Sequence, residues 1–344
     1  MIKRNTYEAG HEEIDFVVTW VDGQDETWRQ ERARYSSTPG EDNSECRFRD
    51  WGLLKYWFRG VEKFAPWVRR IHFVTWGHLP QWLDITNPKL NVVRHEDYIP
   101  KEFLPTFNSR ILEIYMNRIN GLSEHFVYFN DDMFLIRQSK PEHFFKNGKP
   151  CDMLSFQPIA ALKDDSIWCH AQLNNILILS KYFNKRENVK QQPGKYFYLG
   201  YPLLRVLYNI LELRISLYTG LYTVHGPSPF CRETFQEIWD RESEALTSMT
   251  VNRFRSQNDL TPYLFREWQK LSGNFCAKNV QKDLSYYGIA EDNRELIRTI
   301  QKQKSRVICI NDTHATRDIA RVREEIQAAF QHILPEPSSF ELTV

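Results

Sequence analysis

Five short runs of β-branched and aromatic residues, each ending in polar residues, constrain the fold of this chain most. The runs are "IDFVVTWVDG" at 14–23, "RIHFVTWG" at 70–77, "LNVVRHED" at 90–97, "HFVYFNDD" at 125–132 and "RVICIND" at 306–312. Both alternating positions in these runs are apolar, as expected for strands that are covered on two faces. Segments with helical spacing separate the runs. This alternation predicts an α/β fold, a mostly parallel sheet with helices on both faces.

Turn and capping signals divide the rest of the chain. Ser228-Pro229 and Thr261-Pro262 each predict a helix start, because a capping residue precedes proline at the first helical position. The polar segment at 184–196 is predicted to be a loop or an insertion, and the segment at 36–45 is predicted to be a loop. We therefore expect one domain over residues 1–335 with a helical insertion around 180–285. Residues 336–344 are expected to form a tail.

Composition narrows the environment and the partners. The net charge of +1 gives no field that would attract nucleic acid. Six cysteines, none with paired or metal-site spacing, suit a reducing cytosol. The N-terminal residues contain no apolar core of a signal peptide. These observations predict a cytoplasmic protein.

The most apolar stretch lies at residues 201–222, and charged and amide residues interrupt it. It therefore falls short of the roughly 18 consecutive apolar residues that a membrane-spanning helix needs. An internal helix is one interpretation. A helix lying on a membrane surface, with its aromatic and arginine side chains at the headgroups, is the other.

Acidic and amide side chains follow three of the strand-like runs. They are Asp22, Asp131, Asp132, Asn311 and Asp312. Ligands of parallel sheets bind beyond the carboxyl ends of the strands, so one shared site is expected there. Carboxylate oxygens suit Mg²⁺ or Mn²⁺, particularly when substrate phosphates complete the coordination. The alternative is a simple turn, which Asn and Asp also favour.

Two further segments carry side chains suited to phosphate chemistry. His225 lies in a Gly/Pro-rich loop and could transfer a proton near pH 7. Arg253 and Arg255, two residues apart, could bind phosphate oxygens. A loop histidine without function and a solvated basic turn are the structural alternatives. The common nucleotide-binding and hydrolase signatures GxxxxGK[ST], GxGxxG and GxSxG are absent from the sequence.

Taken in order, these segments resemble the Stealth family. Its first two signature blocks resemble "IDFVVTWVDGQDETW", "RFRDWGLLKYWFRGVEKFAPWVRRIHFVTWG" and "LPTFNSRILEIYMNRINGLSEHFVYFNDDMFL". The third block resembles "VHGPSPFCRETFQEIW" with "NRFRSQNDLTPYLF", and the fourth resembles "VICINDTH". The resemblance runs from about residue 13 to residue 315.

The resemblance implies a fold and a reaction. The family contains bacterial capsular and cell-surface polysaccharide phosphotransferases, and the eukaryotic enzyme that transfers N-acetylglucosamine 1-phosphate to lysosomal glycoproteins. A Rossmann-like sheet of the glycosyltransferase-A type is therefore implied, in one catalytic domain. The implied reaction moves a sugar 1-phosphate from a nucleotide-sugar, such as a UDP-sugar, to a sugar hydroxyl. It forms a phosphodiester and releases a nucleoside monophosphate.

The same resemblance implies roles for individual residues. His225 is expected to be the general base, with Asp22, Arg232, Arg253 and Arg255 as further catalytic residues. Mg²⁺ (or Mn²⁺) is expected on Asp131, Asp132, Asn311 and Asp312. The nucleotide-sugar is expected to meet Trp20, Val21, Asp22, Gly23, Arg49, Asp50, Asn108, Ser109, Arg110 and Asn130.

Two other functions fit parts of the pattern. A metal-dependent glycosyltransferase would release a nucleoside diphosphate, and a carbohydrate-binding protein would use the aromatic residues without catalysis. The expected partners are a nucleotide-sugar donor and a polysaccharide or lipid-linked oligosaccharide acceptor, with no nucleic acid. Peripheral association with the inner membrane surface through residues 201–222 is a further hypothesis.

Overall fold

The computed structural model describes residues 13–35, 48–160 and 166–342, apart from the side chains of residues 166 and 313–315. The loop predicted at 36–45 lies outside these residues. The strands are β1 (Ile14–Trp20), β2 (Ile71–Thr75), β3 (Leu90–Arg94), β4 (His125–Asn130), β5 (Met133–Leu135), β6 (Phe145–Lys146), β7 (Lys149–Asp152), β8 (Ser228–Cys231), β9 (Cys276–Ala277), β10 (Leu284–Ala290) and β11 (Val307–Ala315). The helices are α1 (Glu26–Tyr35), α2 (Leu54–Phe64), α3 (Ser109–Ile114), α4 (Ser166–Tyr182), α5 (Lys185–Gln191), α6 (Pro193–Tyr196), α7 (Leu203–Glu212), α8 (Arg232–Thr250), α9 (Tyr263–Leu271), α10 (Arg294–Gln301) and α11 (Ile319–Ile333).

The main sheet has the strand order β3-β2-β1-β4-β8. Its first four strands run parallel, and β8 is an antiparallel edge strand. Thr19 pairs with Asn130, so β1 and β4 end side by side. Two smaller sheets have the orders β10-β11-β5 and β6-β7-β9. The predicted α/β architecture with a mostly parallel sheet is confirmed.

Successive residues of β1 pack into two different cores, which explains why apolar residues stand at both alternating positions of the strand. Phe16 and Val18 belong to the core that α2 and α11 cover. Val17 belongs to the core that α3, α8 and α9 cover. Side chains alternate between the faces of a strand, so a strand covered on both faces loses the usual polar alternation.

Two sequence predictions about the strands were wrong. Ser228-Pro229 begins strand β8 and not a helix; α8 begins at Arg232. Pro229 is tolerated because β8 is an edge strand, where a missing N–H removes no bond from the interior of the sheet. The run at 306–312 forms β11, which belongs to the second sheet and not to the main one.

The segment at 184–196 is mostly helical, so its interpretation as a loop was wrong, and its interpretation as an insertion stays a prediction. Asn184 caps α5 by accepting a hydrogen bond from the Glu187 N–H at 3.2 Å. This asparagine, a residue type that also favours turns, therefore begins a helix here. Thr261-Pro262 does precede a helix, α9, as predicted. Within the described residues, no helix is long and apolar enough to cross a membrane.

The segments outside the main sheet are firmly attached to it. Helices α5 to α9 fall within the predicted insertion, but β8 between them completes the main sheet. Near the C-terminus, Phe340 is buried and Glu341 pairs with the buried Arg59 at 2.7 Å. The division into a domain, an insertion and a tail stays a prediction.

Candidate active site

Asp131 and Asp132 form the turn between β4 and β5, at the carboxyl end of the main sheet. The second sheet closes over this turn, because the Ile310 N–H donates to the Asp132 carbonyl at 2.8 Å. Cys309 pairs with Met133 directly beside it. The fourth sequence block therefore reaches the end of β4 through a separate sheet.

Asp132 is the centre of a small cluster of possible metal ligands. Its Oδ2 lies 3.8 Å from Nε2 of His225 and accepts a hydrogen bond from the Cys309 thiol at 3.4 Å. One ligand atom from each of these three residues lies within 4.8 Å of the other two. Oδ1 of Asp132 is buried and has no hydrogen-bond partner among the described residues. A buried carboxylate oxygen without a partner is costly, and a bound cation would satisfy it.

The thiol of Cys309 contributes as a hydrogen-bond donor. Burial, with repulsion from the Asp132 and Asp131 carboxylates, raises the pKa of this thiol far above its usual range. A thiol that keeps its proton is a poor metal ligand, because the thiolate is the binding form. The donor set therefore favours a cation that prefers oxygen, held by the carboxylates.

Acidic groups accumulate on the other side of the turn. Loss of hydration and repulsion from Asp132 and Asp50 raise the pKa of Asp131 to about 8. The Asp131 side chain is exposed to solvent, so its hydration is only partly lost and the neighbouring carboxylates contribute to the raised pKa. The pKa of Asp50 is raised by burial and by the charge of Asp22. Four carboxylates thus share one region, and a bound cation would relieve their repulsion.

Buried side chains of α9 anchor the loop that carries His225. Nδ1 of His225 lies 2.9 Å from the Tyr263 hydroxyl. The Arg266 guanidinium donates to the Val224 carbonyl at 2.9 Å and pairs with Asp152 at 2.6 Å. Lys270, also buried, donates to the Tyr222 carbonyl at 3.1 Å. These contacts fix the backbone just before His225, and Nε2 of His225 faces Asp132.

A buried glutamate of α3 lies beside the same region. Glu113 accepts a hydrogen bond from the Tyr128 hydroxyl at 2.9 Å. Burial raises its pKa to about 7, against the charges of Arg255, Arg110 and His225. Arg255 donates to the Ser109 hydroxyl at 2.7 Å. Ser109, Arg255 and His225 therefore surround one buried carboxyl group.

Trp20, the last residue of β1, and the residues that follow it make different contacts. The Asp22 N–H donates to Nε2 of His78 at 2.7 Å, which fixes the acidic loop. Trp20 is buried in the core and its ring stacks on that of Phe73, and its contact with the nucleotide-sugar stays a prediction. A Cβ at Gly23 would come within 1.8 Å of the Phe48 carbonyl oxygen, so glycine is required there for close packing.

Two predicted ligands of the nucleotide-sugar have structural partners. Asn108 caps α3, is fully buried and donates to Asp259 at 2.9 Å. Arg110 is also buried and forms an ion pair with Asp259 at 3.1 Å. Both side chains hold the Asp259 carboxylate, and their contact with the nucleotide-sugar stays a prediction. Val21 is partly buried against the small core around Trp28.

Asn311 and Asp312, two neighbouring residues of the fourth sequence block, make different contacts. Asp312 forms an ion pair with Arg49 at 2.8 Å, which links two predicted site residues but neutralises the carboxylate. Asn311 hydrogen-bonds to Tyr286. Because alternate residues of a strand share a face, Asn311 lies on the same side of β11 as Cys309. Asn130 ends β4, directly before the acidic turn.

Two of the predicted catalytic arginines do not reach the cluster. Arg232 binds the carbonyl oxygens of Asn117 and Leu122, beside the start of β4 and so at the opposite end of that strand from the acidic turn. Arg253 donates to the Pro105 carbonyl and lies over the ring of Tyr35. The antiparallel direction of β8 explains the first case. It carries the chain away from His225 before α8 begins.

Some residues of this region were missed from the sequence. They are Glu113, Tyr128, Tyr263, Cys309 and Asp259. Glu113 lies three residues after Arg110, one helical turn, and that spacing was the available signal. Cys309 carried no signal, because its neighbours Asp132 and His225 are distant in sequence.

Comparison with known sequences identifies the family. Residues 12–39 match conserved region 1 of the Stealth proteins, and residues 47–152 match conserved region 2. A capsular polysaccharide phosphotransferase, WcwK of Streptococcus pneumoniae, is 40% identical over 96% of this chain and 98% of its own length. The chain belongs to the Stealth family. The predicted resemblance is thereby confirmed.

Other Stealth relatives carry related names. The exopolysaccharide phosphotransferase cps2G of Lactiplantibacillus plantarum is 38% identical over 97% of this chain and 98% of its own length. The receptor polysaccharide phosphotransferase WefC of Streptococcus gordonii is 35% identical over 96% and 99%. Among solved structures, the galactosyltransferase LgtC is 11% identical, covering 91% of this chain and 95% of its own, with a TM-score of 0.38. So distant a likeness carries no information about function.

Proposed function

We propose that this Stealth protein transfers a sugar 1-phosphate from a nucleotide-sugar, of the UDP-sugar class, to a sugar hydroxyl of a capsular or cell-surface polysaccharide. One observation carries the proposal: Nε2 of His225 and the orphaned carboxylate of Asp132 face each other 3.8 Å apart at the carboxyl end of β4. A proton acceptor beside a cation-binding carboxylate is what phosphoryl transfer to a hydroxyl requires. The names of the relatives support the reaction class.

The proposed reaction breaks one phosphorus–oxygen bond and forms another. The acceptor hydroxyl oxygen attacks the phosphorus that carries the sugar, and Nε2 of His225 takes the hydroxyl proton. The bond from that phosphorus to the bridging oxygen breaks, and the nucleoside monophosphate leaves with the bond's electrons. The sugar C–O bond stays intact, which separates this reaction from glycosyl transfer.

Asp131 and Asp132 are the proposed ligands of a divalent cation, Mg²⁺ or Mn²⁺. Asn311, on the same face of β11 as Cys309, is the proposed third ligand, whereas Asp312 is already paired with Arg49. When bound, the cation would neutralise pyrophosphate oxygens and stabilise the charge that develops during transfer. The orphaned oxygen of Asp132 and the mutual repulsion at Asp131 support this assignment.

The remaining roles follow from charge and position. Arg255 is the proposed partner of the transferred phosphoryl oxygens, since it lies beside Ser109 and near Glu113 and His225. Asp22, Asp50 and Arg49 are proposed to line the nucleotide-sugar pocket beyond β1. A role for Arg253 in the same pocket stays a prediction. The general base proposed above, Nε2 of His225, would contribute roughly 10²- to 10⁴-fold in rate.

The decisive assay measures which nucleotide is released from UDP-, GDP- and CDP-sugars with a polysaccharide acceptor. We expect UMP, dependent on Mg²⁺ or Mn²⁺ and abolished by EDTA, and lost in Asp132→Asn and His225→Gln. Arg232→Gln is the matched control and should retain activity, because Arg232 lies at the opposite end of β4 from the acidic turn. Release of UDP would mean glycosyl transfer. Sugar binding without any released nucleotide would mean a binding protein.

The acceptor and the location belong to the same proposal. We propose a polysaccharide or a lipid-linked oligosaccharide as the acceptor, and the cytoplasm as the location, with peripheral association at the inner membrane face. Fractionation of cells into cytosol and membrane, followed by detection of the protein in each, tests the location directly.

A further inference from the structure

Helix α7 is built with its polar side buried and its apolar side exposed. Asn209 and Glu212 are buried, with 0% and 6% of their surfaces exposed. The opposite side forms an apolar surface that we call the leucine face: Leu203 (73% exposed), Leu204 (63%), Leu207 (45%), Ile210 (49%) and Leu211 (60%). A helix on the surface of a soluble protein normally shows the reverse arrangement.

Specific polar contacts hold α7 in this orientation. Oδ1 of Asn209 accepts from the Phe156 N–H at 2.7 Å, and its Nδ2 donates to the carbonyls of Leu154 at 3.1 Å and Tyr196 at 2.6 Å. Glu212 pairs with the buried Lys185 at 3.0 Å. Rotating the helix to bury its leucines would leave an amide and a carboxylate without partners. The exposure of the leucine face is therefore enforced by the fold.

The apolar surface continues on both sides of the helix. Leu199, before α7, is 97% exposed, and Leu217, after it, is 74% exposed. Contiguous apolar surface of this kind marks an interaction site, because isolated exposed apolar residues are common but continuous groups are not. The leucine face therefore needs an apolar environment to cover it.

The charge around the leucine face identifies that environment. Residues 184–222 contain six lysines and arginines and two glutamates, a net charge of +4 in a chain whose total is +1. Arg186, Lys190 and Arg214 are exposed. Leucines flanked by cationic side chains match a bilayer that contains anionic lipids, where leucines enter the acyl region and cations meet the headgroups.

We propose that the leucine face docks this protein on an anionic phospholipid bilayer, lying in the interface without crossing it. The docked segment leads directly into the active-site loop, since Leu221 pairs with Phe156 and His225 follows four residues later. Docking would bring the acidic turn and His225 near the membrane surface. The consequence that the acceptor is carried on a lipid rests on the proposed function, whereas the docking itself does not.

Sedimentation with vesicles tests the docking. The purified chain is mixed with vesicles of phosphatidylglycerol and phosphatidylcholine, or of phosphatidylcholine alone. We expect binding to the anionic vesicles. Leu207→Glu/Leu211→Glu should weaken it on the order of tenfold or more per leucine. Ile85→Glu is the matched control, because Ile85 is 57% exposed outside the leucine face, and it should bind as the wild type does.

Reversing charge tests the electrostatic part. Lys190→Glu/Arg214→Glu brings the net charge of residues 184–222 to zero and should weaken binding to anionic vesicles on the order of tenfold, more so at low salt. Wild-type protein that stays in the supernatant with anionic vesicles overturns the proposal. So does concentration-dependent dimerisation that Leu207→Glu/Leu211→Glu abolishes while vesicle binding is absent, since a second copy would then cover the face.

Nucleotide release separates this proposal from the proposed function. Leu207→Glu/Leu211→Glu should keep wild-type release of UMP with a water-soluble acceptor, because the leucine face contacts none of the proposed catalytic residues. Loss of vesicle binding with this activity intact supports docking. Vesicle binding by a wild-type chain that releases no UMP would support docking and refute the proposed reaction.

Discussion

Replacing Arg266 with methionine should destabilise the fold and impair the loop of His225 together. The Arg266 guanidinium makes two hydrogen bonds to Asp152, at 2.6 and 3.1 Å, and one to the Val224 carbonyl at 2.9 Å. Both side chains of the ion pair are at least 96% buried. Arg266→Met leaves the Asp152 carboxylate buried without its main partner, which typically costs 3–5 kcal/mol. Because the buried Lys270 remains near Asp152, we expect a loss of about 3 kcal/mol.

Unfolding in urea, followed by tryptophan fluorescence, measures this loss. Arg294→Met is the matched control, because Arg294 also holds an aspartate, Asp292, in an ion pair but on the surface, and its replacement should leave the free energy of unfolding unchanged. Asp152→Asn/Arg266→Met should lose less than the sum of the single variants, by about 2 kcal/mol. A loss in Arg266→Met no larger than in Arg294→Met would refute the reasoning. The anchoring of the His225 loop predicts that kcat falls as well.

The other predictions concern the active-site residues. Asp132→Asn should weaken Mn²⁺ binding, measured by calorimetry, without loss of stability, because it removes a carboxylate charge of which one oxygen has no hydrogen-bond partner. Unchanged Mn²⁺ affinity would exclude Asp132 as a ligand. His225→Gln should lower kcat roughly 10²- to 10⁴-fold with little change in KM for the nucleotide-sugar, and a larger effect on KM than on kcat would point to binding instead. Arg255→Gln should reduce nucleotide release and Arg232→Gln should not, since only Arg255 lies near Glu113; equal losses would contradict the assignment. Burial raises the pKa of Glu113 from 4.5 to about 7, so the folded chain holds a proton that the unfolded chain releases between those pH values. Stability should therefore fall by up to about 3 kcal/mol as pH rises through this window, and Glu113→Gln should remove that part of the decline in urea midpoints measured at pH 5 and pH 7.5.

Local patterns predicted the architecture well where a strand is covered on both faces. The runs at 14–23, 70–77, 90–97 and 125–132 became four parallel strands of the main sheet, because burial on two faces favours apolar residues at both alternating positions. The errors arose where two structures share one local signal. A capping residue before proline precedes a helix at Thr261. The same pair at Ser228 begins the edge strand β8, whose partner strand β4 lies about a hundred residues earlier in the sequence.

The candidate site was predicted in part for the same reason. The acidic turn after β4 follows from the strand pattern, since polar residues must mark where a buried strand ends. Its neighbours do not follow from it. Trp20 and Arg110 have the chemistry of ligand-binding residues, but packing buries one in the core and pairs the other with Asp259. Burial depends on which helices and strands pack over a residue, and a single sequence does not show these tertiary contacts.

The sequence by itself determined the α/β class, the order of the family's conserved segments and the acidic end of β4. Each is written in contiguous residues, through periodicity, turn chemistry or a long signature. Only the tertiary structure decided that Asp132, His225 and Cys309 meet, because they come from a turn, a loop and a second sheet up to 177 residues apart. It also decided that the apolar side of α7 faces outward. The apolar periodicity of a helix indicates that one side is apolar, but contacts such as those of Asn209 decide which side is buried.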